Sequence, residues 1–181
     1  MARLKLLTKD DLAEADHDLI ARGINLHKVM AHSPKATRAF RTFAMYTRFE
    51  SKLDGRLREL AILQVGYSCK SRYEYSHHVK VGRQFGLSDD DIRAVAADTK
   101  GQKHNLEPLA RTVLRAAREM VADLKPSAST YAELERAFSA EHLVDFILTV
   151  SLYCCVVRFL ESFEVEVEPD YLPYLEEFPL D

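Results

Sequence analysis

The segment from Arg56 to Ser68 constrains the fold most, because it has apolar side chains on every side of a helical wheel: Leu57, Leu60, Ile62, Leu63, Val65 and Tyr67. A helix with this pattern has no face suited to water, so we predict that it is buried all round. Glu59 nevertheless lies one turn inside the segment. An unpaired carboxylate is costly to bury, so we expect Glu59 to be paired, protonated or next to a water-filled pocket.

The next predicted helix, from about Arg72 to Phe85, is amphipathic. Glu74 and His78 are one turn apart on its apolar stripe, within about 60° of the other members of that stripe, Val81 and Phe85. The stripe predicts that Glu74 and His78 point into the core as two proton-transfer groups. The neighbouring His77 falls on the opposite arc and is predicted to face solvent.

Helix-start signals recur along the rest of the chain, and no strand pattern of useful length accompanies them. Asp54 is predicted to cap the buried helix, Ser88 and Asp91 form a capping-box pattern, and Ser139 precedes a long apolar helix. Thr130, with Glu133 three residues later, predicts the start of a short helix. The sequence therefore predicts an all-α protein.

The first two helices also carry a resemblance to a known family. The pattern R-x-R-E-x(11)-S-x-x-E-x-x-x-H resembles the signature of the carboxymuconolactone decarboxylase and alkylhydroperoxidase D-like family, and it is formed by Arg56, Arg58, Glu59, Ser71, Glu74 and His78. The segment Val150–Phe163 is similar to the last core helix of the decarboxylases, and Ile24–Phe40 to the lead-in of the family. The resemblance covers roughly residues 22–165 and implies an alkylhydroperoxidase D-like helical bundle that forms a homo-oligomer, from dimer to hexamer.

Two positions distinguish the branches of that family. In the peroxidase branch a C-x-x-C stands where Ser71 and Glu74 stand here, and its Glu and His match Glu59 and His78. In the decarboxylase branch a Glu-x-x-x-His matches Glu74 and His78, and no Glu is expected at position 59. A serine hydroxyl cannot form a sulfenate or a disulfide. The chain therefore resembles the branch without C-x-x-C.

This resemblance, together with the inward stripe, predicts a cofactor-free enzyme with an acid–base set made of Glu59, Glu74 and His78. Histidine titrates near neutral pH, and carboxylates beside it can orient it or raise its pKa. The predicted substrate is a small carboxylated or lactone-like molecule. The alternatives are a peroxidase-like activity through Cys69, a non-enzymatic oligomeric binding protein, and a polar network that only fixes helix packing.

Substrate-binding residues are predicted around this set. Arg56 and Arg58 either bind a substrate carboxylate or pair with the acidic residues. Ser71 and Tyr75 are predicted to contact the substrate, and three other tyrosines are candidates for lining the pocket or filling the core: Tyr67, Tyr73 and Tyr153.

A metal site is not predicted. The adjacent His77 and His78 point about 100° apart on a helix, so a facial site would require a further histidine such as His32 or His104.

Length and composition limit the remaining classes. The 181 residues predict one all-α domain over 1–165 followed by an acidic tail, 166–181, that docks on this subunit or on a neighbouring one. A net charge of −3 with interspersed signs gives no basic stripe, so no nucleic-acid partner is expected. The most apolar run, Phe146–Val157, is too short to span a bilayer. The odd number of cysteines, three, favours a reduced cytoplasmic compartment.

Overall fold

The computed structural model describes residues 2–180, and this part of the chain is helical and contains no strand, as predicted. Short 3₁₀ turns cover Lys9–Asp11, Glu14–Ile20 and Pro169–Tyr171, and one π-helical turn covers Tyr46–Glu50. The α-helices are α1 Asn25–Met30, α2 Pro34–Met45, α3 Gly55–Ser68, α4 Arg72–Gln84, α5 Asp89–Thr99, α6 Pro108–Asp123, α7 Ala128–Ala137, α8 Ala140–Ser162 and α9 Leu172–Glu177.

Side-chain caps mark where four of the described helices begin: α3, α5, α7 and α8. Asp54 accepts a hydrogen bond from the backbone N–H of Leu57 at 2.9 Å, and Ser88 forms the expected capping box with Asp91. The predicted cap of α7 was wrong by three residues. Ser127 caps this helix, and Thr130 lies within its first turn, because the Ser127 hydroxyl accepts the Thr130 N–H.

Helix α3 lies at the centre of the fold, packed against α4, α5, α6 and α8. Its side chains at Leu60, Leu63 and Val65 are fully buried, as the sequence predicts. Helices α3 and α4 run antiparallel and approach closely at Gly66, where an added Cβ would lie 3.1 Å from the backbone nitrogen of Tyr75. Because α3 and α4 approach so closely, their side chains also meet at positions beyond Gly66 along the two helices.

Helix α8 is 23 residues long, and its length and composition would suffice to cross a membrane. A core helix of a soluble protein passes the same test, so one such helix is weak evidence for a membrane span. In this fold one side of α8 packs in the main core through Phe146, Val150 and Val157.

The C-terminal tail docks on the same subunit. Its 3₁₀ turn and α9 both pack against α4, and Phe178 joins the main core with 3% of its surface exposed. The tail also covers one face of α4 that the amphipathic pattern assigns to water.

His77 lies on this covered face, so the prediction that it faces solvent was wrong. Its ring stacks between Tyr73 and Tyr171, with centroid distances of 4.2 and 3.6 Å. Its Nε2 lies 2.7 Å from Oε2 of Glu168 in the tail. Glu168 also accepts hydrogen bonds from the Tyr73 hydroxyl and from the backbone N–H of Asn25, so one tail carboxylate joins α1, α4 and the tail.

Candidate active site

His78 lies between two carboxylates, as the inward stripe predicts. Its Nδ1 is 2.6 Å from Oε2 of Glu59 on α3, and its Nε2 is 2.9 Å from Oε1 of Glu74, one turn earlier on α4. Glu59 is fully buried, and the other two residues are almost so. The prediction that these three side chains meet is confirmed.

Arg58 contacts Glu59, the buried member of the acid–base set. Its Nε and Nη2 both donate to Oε1 of Glu59 at 3.2 Å, and its guanidinium carbon lies 4.3 Å from the centre of the Phe85 ring. The side chain is only 3% exposed. Arg58 therefore pairs with an acidic residue, which is the second of the two roles expected from the sequence.

Electrostatics decide the protonation of this cluster. Burial lowers the pKa of His78, but the carboxylates of Glu59 and Glu74 outweigh burial and raise that pKa to about 9. Burial raises the pKa of Glu59, but His78 and Arg58 outweigh it and the net shift is downward. At neutral pH the cluster therefore holds an imidazolium between two carboxylates. The Arg58 guanidinium balances the second negative charge.

A cavity of about 130 Å³ opens beside this cluster. One water needs about 10–15 Å³ of such space, so the cavity can hold a small organic molecule. Its walls are mainly apolar, formed by Leu26, Phe40, Ala44, Val81, Leu152 and Val156. Glu74 and His78 reach the cavity, whereas Glu59 lies behind His78.

Tyr153 of α8 and His27 of α1 also line the cavity, together with Tyr73 and His77. The Tyr153 ring meets the His78 imidazole edge-on at 4.8 Å between centroids, and burial raises the pKa of its hydroxyl well above the ordinary value, so it stays protonated. Burial, reinforced by Arg22, lowers the pKa of His27 to about 4, so His27 is neutral at pH 7. Tyr153 therefore offers a hydrogen-bond donor to a bound molecule.

Three predicted substrate-binding residues do not line the cavity. Arg56 binds Asp91 and Glu107 instead, because α3 directs it away from His78 toward α5 and the start of α6. Ser71 is fully buried at the beginning of α4. Tyr75 is 1% exposed in the main core, since it lies on the face of α4 that packs against α3. Arg56 thus takes the second of its two expected roles, and Ser71 and Tyr75, which were predicted to contact the substrate, do not line the cavity.

Arg48 and Arg22 are cavity residues that the sequence reasoning missed. Arg48 lies in the π-helical turn after α2, and Arg22 precedes α1. A signal for Arg48 was present, because Phe40, Ala44 and Arg48 follow one another at four-residue spacing and all three line the cavity. Arg22 lies outside any regular helix, and no periodicity indicates it.

Cysteine does not line this cavity in the described part of the chain. Cys69 is half-buried at the end of α3, packed against the main core, and burial raises the pKa of its thiol. Within residues 2–180, no three His, Cys, Asp or Glu side chains are arranged to hold a metal ion. His32 bonds the backbone oxygen of Lys5, and His104 bonds Asp98.

Comparison with known proteins agrees with the fold. Residues 34–119 match the model of the carboxymuconolactone decarboxylase family. None of the curated proteins matches this chain.

Three solved structures share the fold at low sequence identity. A peroxidase-related protein from Ralstonia eutropha JMP134 with an alkylhydroperoxidase AhpD core has a TM-score of 0.80 at 17% identity, over 96% of this chain and 95% of that one. The debrominase Bmp8 in complex with 2,3,4-tribromopyrrole has a TM-score of 0.82 at 14% identity, over 98% and 100%. A peroxidase-related protein from Silicibacter sp. TM1040 has a TM-score of 0.78 at 19% identity, over 94% and 93%.

Proposed function

We propose that this chain, whose residues 34–119 match the carboxymuconolactone decarboxylase family model, catalyses proton transfer on a small carboxylated or lactone-like substrate. Its own side chains act as acid and base. The observation that carries the proposal is the position of His78. This histidine is protonated at neutral pH, lies between two carboxylates, and reaches a cavity of small-molecule size.

Glu74 is the group that exchanges the proton with the substrate. Both nitrogens of His78 are occupied, Nδ1 by Glu59 and Nε2 by Glu74, so His78 reaches the substrate only through Glu74. A proton that leaves Nε2 for Glu74 can pass from the carboxyl group to a bound molecule. After the product leaves, a proton taken up from water returns to His78 and resets the pair.

This route suits decarboxylation of a conjugated carboxylated lactone. The substrate carboxylate leaves as CO₂, and its bonding electron pair moves into the conjugated carbonyl system. The proton from His78, passed through Glu74, then neutralises the resulting carbanion.

Glu59 and Arg58 are positioning residues in this scheme. Glu59 fixes the imidazole by holding Nδ1 and raises the pKa of His78. Arg58 holds Glu59 through its other carboxylate oxygen. Neither side chain lines the cavity.

The test is release of CO₂ from carboxymuconolactone and a panel of other small carboxylated lactones. We expect His78→Gln and Glu74→Gln to lower kcat by about 10²–10⁴, the usual contribution of a positioned acid or base. His104→Gln is the matched control, because His104 also pairs with a carboxylate, Asp98, but lies outside the cavity.

Equal kcat values for the wild type and His78→Gln would contradict the proposal. Binding of panel members without turnover would favour a non-enzymatic binding protein.

The peroxidase-related structures motivate a second candidate, a thiol peroxidase acting through Cys69. The position of Cys69 outside the cavity and its raised thiol pKa count against it. We expect no consumption of an alkyl hydroperoxide with a dithiol reductant. Consumption that Cys69→Ser abolishes would replace the decarboxylase proposal by this one.

A further inference from the structure

The cavity has an excess of positive charge. Five charged side chains line it: Arg22, Arg41, Arg48, Glu74 and the protonated His78. Arg41 is balanced by Asp18, whose Oδ2 lies 2.9 Å from its Nη1. The cluster of Glu59, Glu74, His78 and Arg58 sums to zero. Two positive charges remain unbalanced, those of Arg22 and Arg48.

Arg48 has no ion pair or hydrogen bond within residues 2–180. Its Nε is buried without a partner, and its guanidinium carbon lies 5.4 and 5.7 Å from the ring centres of Phe49 and Phe85. These two rings hold the guanidinium in place without neutralising it. Arg48 acts on Glu59 only through space, by lowering the pKa of that carboxyl. A partly buried guanidinium without a paired anion is costly, so this geometry favours an anionic ligand.

Arg22 lies close enough to Arg48 for the two charges to act on each other. Burial, and after it the charge of Arg48, lowers the pKa of Arg22. Like charges at one cavity repel unless an anion lies between them or beside them. The lack of an ion pair at Arg48 and its repulsion with Arg22 both indicate an anionic ligand at this cavity.

We infer that Arg48 and Arg22 form a carboxylate-binding subsite at this cavity, which selects organic carboxylates with a small flat apolar body over neutral molecules of the same shape. A guanidinium matches a carboxylate with two parallel hydrogen bonds. The aromatic and aliphatic walls, including Phe40, Tyr153 and Leu152, suit a flat apolar body. The inference rests on the proposed function for the role of the cavity. It assigns carboxylate binding to Arg48 and Arg22 in place of Arg56 and Arg58.

The experiment measures binding, not turnover. Calorimetric titrations compare benzoate with benzamide, which has nearly the same shape and no charge. We expect wild-type protein to bind benzoate more tightly than benzamide. We expect Arg48→Gln to weaken benzoate binding about tenfold to a hundredfold, the equivalent of one charge-assisted hydrogen bond, and to leave benzamide binding unchanged.

Arg41→Gln is the matched control, because Arg41 lines the same cavity but is already paired with Asp18. It should bind benzoate nearly as well as the wild type. Arg22→Gln should weaken benzoate binding in the same direction as Arg48→Gln, and it supplies the answer if Arg48→Gln does not fold.

Equal binding of benzoate and benzamide, no binding of benzoate, or equal losses in the Arg48 and Arg41 variants would overturn the inference. Failure of the proposed function looks different. In that case the wild type would release no CO₂ or His78→Gln would keep full turnover, while the preference for benzoate and its dependence on Arg48 would be unaffected.

Discussion

Nδ1 of His78 lies 2.6 Å from Oε2 of Glu59, although the two residues are 19 positions apart and belong to different helices. Both side chains are buried, so water does not screen this contact. The proton of His78 is therefore tied to the folded state. This coupling makes the stability of the protein depend on pH in a defined window.

The first prediction concerns that window. Folding raises the pKa of His78 from 6.5 to about 9, so its stabilising effect is complete below pH 6.5 and is lost as the pH rises through about 9. The free energy of unfolding should fall by on the order of 3 kcal/mol over that range, at about 1.4 kcal/mol for each pH unit. Urea unfolding at several pH values measures it.

His78→Gln is the reference in this experiment, because other groups also titrate at alkaline pH. The variant should show a flatter pH dependence between 6.5 and 9. Parallel curves for the two proteins would show that His78 does not carry a raised pKa.

The second prediction concerns Arg58 and Glu59. Glu59→Gln should fold but lose about 3–5 kcal/mol of stability near neutral pH, because it leaves Arg58 buried without a carboxylate and His78 with only Glu74. The double variant Arg58→Met with Glu59→Gln should recover part of that loss, since it removes one stranded charge. Urea unfolding of the two single variants and the double variant measures the coupling energy. Simple addition of the two single effects would contradict the predicted pairing.

The third prediction concerns the tail. Glu168→Gln should cost about 1.5–3 kcal/mol of local stability, because Glu168 accepts charge-assisted hydrogen bonds from His77 and from the start of α1. Hydrogen exchange should then accelerate in residues 166–177. Glu176→Gln is the matched control, since Glu176 is exposed in the same segment.

The tail contact has its own pH dependence. The His77 contact and the Asn25 hydrogen bond outweigh burial and lower the pKa of Glu168 from 4.5 to about 2. Its stabilising effect is present above pH 4.5 and is lost as the pH falls through about 2. Equal exchange in the tails of the wild type and Glu168→Gln would contradict this role.

The fourth prediction is self-association, which we propose from the exposed apolar surface. Val144 and Leu148, one turn apart on α8, are 56% and 38% exposed, and Met45 and Phe49 near the π-helical turn are 50% and 59% exposed. The Tyr46 hydroxyl bonds Asp145, which brings these two exposed pairs near each other. Such a patch is typical of an interface between subunits.

Sedimentation at micromolar concentration should therefore show a dimer or larger species. Val144→Glu should shift the population toward the 20.7 kDa monomer. Leu124→Glu is the control, because Leu124 is 83% exposed but lies after α6, away from this patch. A wild-type monomer at these concentrations would contradict the proposal.

The sequence by itself determined what depends on neighbouring residues. The caps Asp54 and Ser88 act on backbone N–H groups three residues away, so the starts of α3 and α5 could be predicted. Helical periodicity fixes directions within one helix, so the side chains of Glu74 and His78 could be placed together on one face. The all-apolar wheel of α3 likewise predicted its burial.

The tertiary structure alone decided what covers each face. His77 diverges from His78 by about 100°, as its place on the helix requires, but it is buried because a tail about ninety residues later in the chain packs over it. Arg56 points away from the site because α5 and α6 place Asp91 and Glu107 beside it. Arg48 faces the cavity because α1, α4 and α8 enclose the space in front of it. Periodicity sets the direction of a side chain relative to its own helix, whereas burial and ion pairing depend on segments that only folding brings close.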